Sequence, residues 1–178
     1  MDSINQNQPE ENHRDVSGLE ARDRIRDTVK KVETCFFCTA ISTGGSSAAR
    51  PMSVRQVDDD GNLWFLSAND SHKNREIATH PEVRLFFQGS EHSDFLDLAG
   101  SAEITRDKSK IQDLWSPVLK TWFTGGIDDP RITAVKVIPS VGYYWDNKHG
   151  DTVAGIKMLI GAALGKTLDD SIEGRVRL

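Results

Sequence analysis

Between Ala49 and Lys73 two strand-length runs, Arg50-Pro-Met-Ser-Val and Leu63-Trp-Phe-Leu-Ser, are separated by the acidic turn Asp58-Asp59-Asp60-Gly61. The stretch reads as two short strands around an Asp-Gly turn, a link too short to hold a crossover helix. Further along, Glu82 to Gln88 and Phe95 to Thr105 flank the polar loop Ser90 to Asp94. Ile132 to Trp145 alternates through Ile132, Ala134, Val135, Val137, Val141 and Tyr143-Tyr-Trp. Cys35 to Ser42 reads as a first strand buried on both faces. Adjacent hairpins without regular crossover helices predict a mainly β fold with flanking helices, a small barrel of about six strands.

Helices are expected at Leu19–Glu33, where Ile25, Val29 and Val32 form one apolar stripe, after Lys73, and at Arg106–Thr121, broken or kinked by Pro117. Pro51 cannot donate to a sheet ladder and predicts an irregular or edge strand. Residues 1–18, polar and almost free of apolar side chains, predict a disordered tail. Residues 19–146 are expected to form the domain, and 147–178 a helical extension with a helix over Val153–Leu164. A chain of 178 residues suits one domain. Its net charge of -5 argues against a general nucleic-acid binder. No run is long enough to span a bilayer, and the polar first residues do not read as a signal peptide, so a cytoplasmic protein is expected.

Two motifs fail on geometry. Cys35 and Cys38 have Cys-x-x-Cys spacing, but on a strand residues i and i+3 point to opposite faces, and no second ligand pair follows. They read as core thiols. Gly161-Ala-Ala-Leu-Gly-Lys-Thr is one residue short of a phosphate-binding loop and ends a helix instead of starting one, so Gly165 reads as a helix cap. The histidines are scattered, and the paired aspartates at 58–60 and 128–129 suit turns.

The Ala49–Lys73 stretch is the strongest lead to chemistry. Arg50 offers a planar fork and Lys73 a point charge, Ser67 and Ser71 bring hydroxyls, and His72 follows at a helix start. Cations, hydroxyls and a helix N-terminus together suit a phosphate; a solvated charged edge is the plainer alternative. Trp122 and Phe123 stand beside Gly125-Gly126, where large aromatics either cover a ligand or anchor the loop.

The same residues carry a resemblance. Arg50-Pro-Met-Ser-Val, Phe65-Leu-Ser followed by Ser71-His-Lys, Leu114-Trp-Ser-Pro, Trp122-Phe, Gly126 to Pro130 and Tyr144-Trp-Asp resemble the FMN-binding split-barrel superfamily, which includes the pyridoxamine 5'-phosphate oxidases. The similarity runs from about Leu19 to Asp146 and is closer to the small general stress protein branch. It implies a split β-barrel, FMN as cofactor with FAD as the alternative flavin, and a homodimer. It implies that Arg50, Ser67, His72 and Lys73 grip the phosphate and ribityl chain, with the Ser71 hydroxyl beside them as a further donor read from the sequence itself. The backbone of Met52, Ser53 and Val54 would face the flavin ring. Leu66 stands where the oxidases have a tyrosine, His72 where they have an arginine, and Trp145 where a tryptophan contacts cofactor. Trp122 would cover the ring, from the partner subunit where it lies there. The oxidases' Arg-x-His signature is replaced by Asp146-Asn-Lys-His-Gly, and their flavin-contacting glutamine falls near Phe95. The resemblance therefore implies a flavin-binding stress protein that carries, buffers or senses flavin, with a flavin-dependent oxidoreductase as the alternative. A haem or deazaflavin ligand is a third reading.

Overall fold

A computed structural model describes residues 12–40, 48–90, 93–148 and 170–178. In chain order its elements are β1 (Val16–Ser17), α1 (Gly18–Val32), β2 (Thr34–Thr39), β3 (Ala48–Ser53), β4 (Gln56–Val57), β5 (Leu63–Ala68), α2 (His72–Thr79), β6 (Glu82–Gln88), β7 (Phe95–Thr105), α3 (Lys108–Leu114), β8 (Ile132–Asn147) and β9 (Ser171–Arg177). Two 3₁₀ segments, Pro117–Thr121 and Gly126–Asp128, separate α3 from β8.

The sheet runs β1-β9-β8-β7-β6-β2-β3, antiparallel except for the parallel β1–β9 pair. β5 pairs with β4 and with the first half of β8, opposite Ile132 to Val137. Residues 48–57 are one bent strand that changes partner midway. The Val54 amide donates to the Glu33 carbonyl beside β2 at 2.8 Å, and the next amide, Arg55, donates to the Trp64 carbonyl on β5 at 2.7 Å. That switch closes a ring of six, β2, β3–β4, β5, β8, β7 and β6. The fold is thus a mostly β split barrel, as expected, enlarged by the short β1 and by β9. Extending the β4–β5 register backwards sets Ser53 opposite Ser67, but no ladder forms there, and this gap is the split.

Inside the barrel lie Phe37, Leu63, Phe65, Leu85, Val135 and Val137, all nearly inaccessible, with the Phe37 and Phe65 rings edge to face at 5.2 Å. Each such side chain contributes about 1.5–3 kcal/mol through burial. α1 adds Ala21, Ile25 and Val29 to the same core, as its spacing predicts. A second cluster forms on the outer face of β5 and β8, where Leu66, Ile132 and Ala134 pack under Ile111, Leu114 and Phe123.

Several expectations need correction. β2 is not buried on both faces: Phe36 is 59% exposed and its register partner Phe86 is exposed as well. The expected helix at Arg106–Thr121 ends at Leu114, and Pro117 opens a 3₁₀ segment. The edge-strand expectation for Pro51 holds: β3 pairs with β2 alone, and Pro51 does not interrupt it. With the Val54 amide directed at β2, two-residue alternation turns Ala49, Pro51 and Ser53 to the other edge, where a missing N–H breaks no bond. Within the expected tail, Arg14 donates to the Glu173 carbonyl, and residues 16 and 17 form β1. Within the expected helical extension, residues 171–177 form β9 on the edge of β8. The expected Val153–Leu164 helix and Gly161–Thr167 lie outside the described residues. Cys35 and Cys38 are free, buried thiols; burial pushes Cys35 up to about 12.

The β1–β9 closure makes a checkable demand. A Cβ on Gly174 would stand 1.9 Å from the Arg14 carbonyl oxygen. Gly174→Ala therefore forces the N-terminal segment off β9 and costs about 1–3 kcal/mol of stability in a denaturant titration.

Candidate functional site

The candidate residues gather where β5 ends and α2 begins, at the mouth of the split. Ser71 is the N-cap of α2: its backbone is extended, and its Oγ accepts the Asn74 amide at 3.2 Å. That cap turns the first turn of α2 so that Lys73 and Asn74 point inward while His72 faces solvent. Lys73 is only 5% exposed, and its Nζ donates to the Ser67 hydroxyl. Ser67 Oγ in turn donates to Asn74 Oδ1 at 2.7 Å, and Asn74 Nδ2 donates to Thr133 Oγ1 at 2.8 Å. Thr133 completes the loop by donating to the Ser67 carbonyl at 2.8 Å. A buried polar cycle thus ties β5, α2 and β8 together, each member satisfied by another. Asn74 and Thr133 were not singled out from the sequence. Ser71-x-x-Asn74 at a helix start was the available signal for the first; nothing local marks the second.

On the other side of the split, Arg50 directs its guanidinium toward α2. Its two terminal nitrogens donate to Glu76 Oε2 at 3.0 and 2.9 Å, and the buried Thr39 hydroxyl donates to the same oxygen. Glu76 is thereby held below the usual carboxylate range, through the Thr39 hydrogen bond first and the Arg50 fork next. Lys73 moves the other way for a cation: burial, reinforced by the nearby Arg50 charge, brings it down to about 8. Two cations face one carboxylate here, a net charge of +1 (two positive, one negative) in a low-dielectric recess. Such a cluster favours an added anion.

The structure brings Arg50, Ser67, Ser71 and Lys73 to one place, with Met52 packed inward against the main core beside them and the Ser53 backbone on the edge facing the split. Val54 is a core residue, its amide spent on Glu33. His72 is not part of the cluster: its Nδ1 lies 3.5 Å from Arg75 Nη2 on the exposed side. Leu66 points to the opposite face and belongs to the second apolar cluster. Phe123 anchors its loop in that cluster, whereas Trp122 is 64% exposed. Its carbonyl accepts from Arg131, just ahead of β8 and so at the Ser67 end of the barrel. Trp145 stacks obliquely on Tyr143, 4.7 Å between ring centroids. It lies twelve residues beyond Thr133 on β8, roughly 40 Å of strand, so one subunit does not bring it to Lys73.

The donor set can be tested for a phosphate. The hydroxyl protons of Ser67 and Ser71 are both directed at Asn74 Oδ1, so they position Lys73 and the helix start and are not free donors. Attraction for the anion falls on the Lys73 ammonium, the Arg50 fork and the first-turn amides of α2. These residues fit a phosphate monoester. Among the described residues no group of His, Cys, Asp and Glu is arranged to hold a metal ion, and no helix is long and apolar enough to cross a membrane.

Comparison with known proteins places this fold among solved and curated relatives. General stress protein 26 of Bacillus subtilis is 27% identical over 81 residues, which cover 43% of this chain and 56% of that protein. A general stress protein 26-type crystal structure from Jannaschia sp. CCS1 has a TM-score of 0.74 at 23% identity, covering 88% of this chain and 97% of its own. The general stress FMN/FAD binding protein of Xanthomonas citri has a TM-score of 0.56 at 23% identity, covering 68% and 83%. At these identities the structural likenesses establish the fold. The profile of the family described as "Pyridoxamine 5'-phosphate oxidase like" matches residues 20–169, and the chain belongs to that family.

Proposed function

We propose that this protein binds FMN by its phosphate at the Arg50–Lys73 cluster and acts as a flavin-binding stress protein. The observation that carries the reading is Lys73. A lysine 5% exposed, in the field of Arg50 and answered directly by a hydroxyl, is unfavourable for folding and favourable for holding an anion. The likeness to the Xanthomonas citri protein, which is described as FMN/FAD binding, supports a flavin as the bearer of that phosphate. FAD places its phosphates within a longer ligand; the cluster at the start of α2 suits a terminal phosphate. The flavin ring would then lie along the Met52–Val54 edge. A bound flavin supplies electron-transfer chemistry; the protein's part is to hold, orient and shield it.

The reading includes a second copy of the chain. Trp145 lies about 40 Å along β8 from Thr133, so it would reach a cofactor at Lys73 from another subunit. The outer face of β2, β3, β6 and β8 supplies an interface, because Pro51, Phe36, Phe86 and Val141 are exposed there on paired strands. Exposed aromatic residues on a sheet face mark such contacts. The oxidoreductase reading ranks second, since Asp146-Asn-Lys-His-Gly lacks the oxidases' substrate-binding signature.

Fluorescence titration with FMN and with riboflavin tests the site. Parent protein quenches FMN and binds riboflavin far more weakly, while Arg50→Ala and Lys73→Ala each weaken FMN binding by roughly 10- to 100-fold, the range of one charge-assisted contact. Equal binding of both flavins, or unaltered FMN binding by both variants, contradicts the proposal. Lys73 also predicts a trade of stability for binding. Its folded value of about 8 lies below the unfolded 10.5, so its cost is fully present below pH 8 and is relieved as pH rises from 8 to 10.5. Lys73→Met should therefore raise unfolding free energy at pH 7 by up to ~3 kcal/mol and flatten the alkaline rise, measured by urea denaturation at pH 7 and pH 10.

A further inference from the structure

Glu76 is the feature of the cluster that the phosphate reading leaves unexplained. A site built only to take an anion would leave the Arg50 fork open, yet both of its terminal nitrogens go to Glu76 Oε2. The carboxylate is not merely attracted there by Arg50. The Thr39 hydroxyl, fully buried on β2, donates to the same oxygen, so Glu76 is anchored from the barrel wall as well. Lys73 and Glu76 stand three residues apart on α2, which puts them on one side of the helix and spans the same recess. The Arg50 and Glu76 side chains remain about a quarter exposed, at 25% and 28%, so an anion approaching from the split can reach the pair.

We propose that Glu76 sets the affinity threshold of the phosphate site, as an internal carboxylate that competes with the ligand's phosphate for Arg50. Resting on the phosphate reading above, the proposal adds a consequence for ligand class. With Glu76 in place the Arg50 fork is already engaged, so a small free anion gains less there than it would from an open fork. A ligand that brings a phosphate together with a ring and chain to bind along the split gains enough from its other contacts to share or displace the carboxylate. Glu76 thereby lowers the affinity for every phosphate alike, so inorganic phosphate is held too weakly to occupy the site, while a phosphate monoester with further contacts along the split still binds. If Glu76 only oriented Arg50, its removal would have the opposite effect on binding.

Glu76→Gln separates the two, since the amide keeps an oxygen for Thr39 and Arg50 but loses the charge. Parent and Glu76→Gln proteins are titrated with FMN and riboflavin, with inorganic phosphate added as competitor. Glu76→Gln is expected to tighten FMN binding roughly tenfold, leave riboflavin unchanged, and let inorganic phosphate compete at about tenfold lower concentration. Glu76→Ala, checked by thermal unfolding alongside, should move FMN and phosphate in the same direction. The inference is overturned if FMN binds the parent through its phosphate, as shown by the Arg50→Ala loss, while both Glu76 variants bind it equally or more weakly. If neither parent nor variant prefers FMN over riboflavin, the phosphate reading itself fails and the inference falls with it.

Discussion

The strand formed by residues 48–57 changes partner between Val54 and Arg55, and the rest of the architecture follows from that switch. Two successive amides, one donating to Glu33 and the next to Trp64, turn what would be an open sheet edge into a closed six-stranded ring. Because the two pairings diverge, β3 and β5 separate toward the mouth of the barrel, and α2 closes the gap. The apolar core needs the closed ring; the candidate site needs the divergence. One backbone event provides both.

What fills the gap is polar, and its arrangement is costly for stability. A buried lysine and a half-buried arginine face one glutamate, while Ser67, Asn74 and Thr133 form a cycle that holds the lysine in position. A core built for stability alone would place apolar side chains there, since a lysine buried without a carboxylate contact opposes folding. The neighbouring barrel interior, with Phe37 against Phe65, shows that this fold can pack apolar groups densely when nothing else is required. The polar mouth therefore reads as a binding feature retained against a structural cost.

Much of the fold was legible in the sequence because strands report themselves through alternation. Glu82–Gln88 and Phe95–Thr105 emerged with the bounds expected, and Ile25 and Val29 faced the core as their spacing required. β1 and β9 were not legible, because β9 is a short polar stretch ordered by its pairing with β8, β1 is ordered by its pairing with β9, and local pattern does not encode long-range pairing. In the site, Arg50, Ser67, Ser71 and Lys73 could be grouped from residue type and a family resemblance. Glu76 and Thr39 were missed because a lone carboxylate on a helix and a threonine ending a strand are ordinary in sequence. Leu66 and His72 went the other way: alternation turned one to the outer cluster, and the N-cap turned the other to solvent.

The central claim is that a phosphate sits beside Lys73, and counting protons tests it most directly. At pH 9 a phosphate monoester is already a dianion, while a lysine at about 8 is roughly nine-tenths neutral. A dianion placed against Lys73 restores its charge. Calorimetry of FMN binding at pH 9, in two buffers of different ionisation enthalpy, should show uptake approaching one proton per site, and that uptake should vanish in Lys73→Met. Binding without proton uptake would place the phosphate elsewhere and contradict the account.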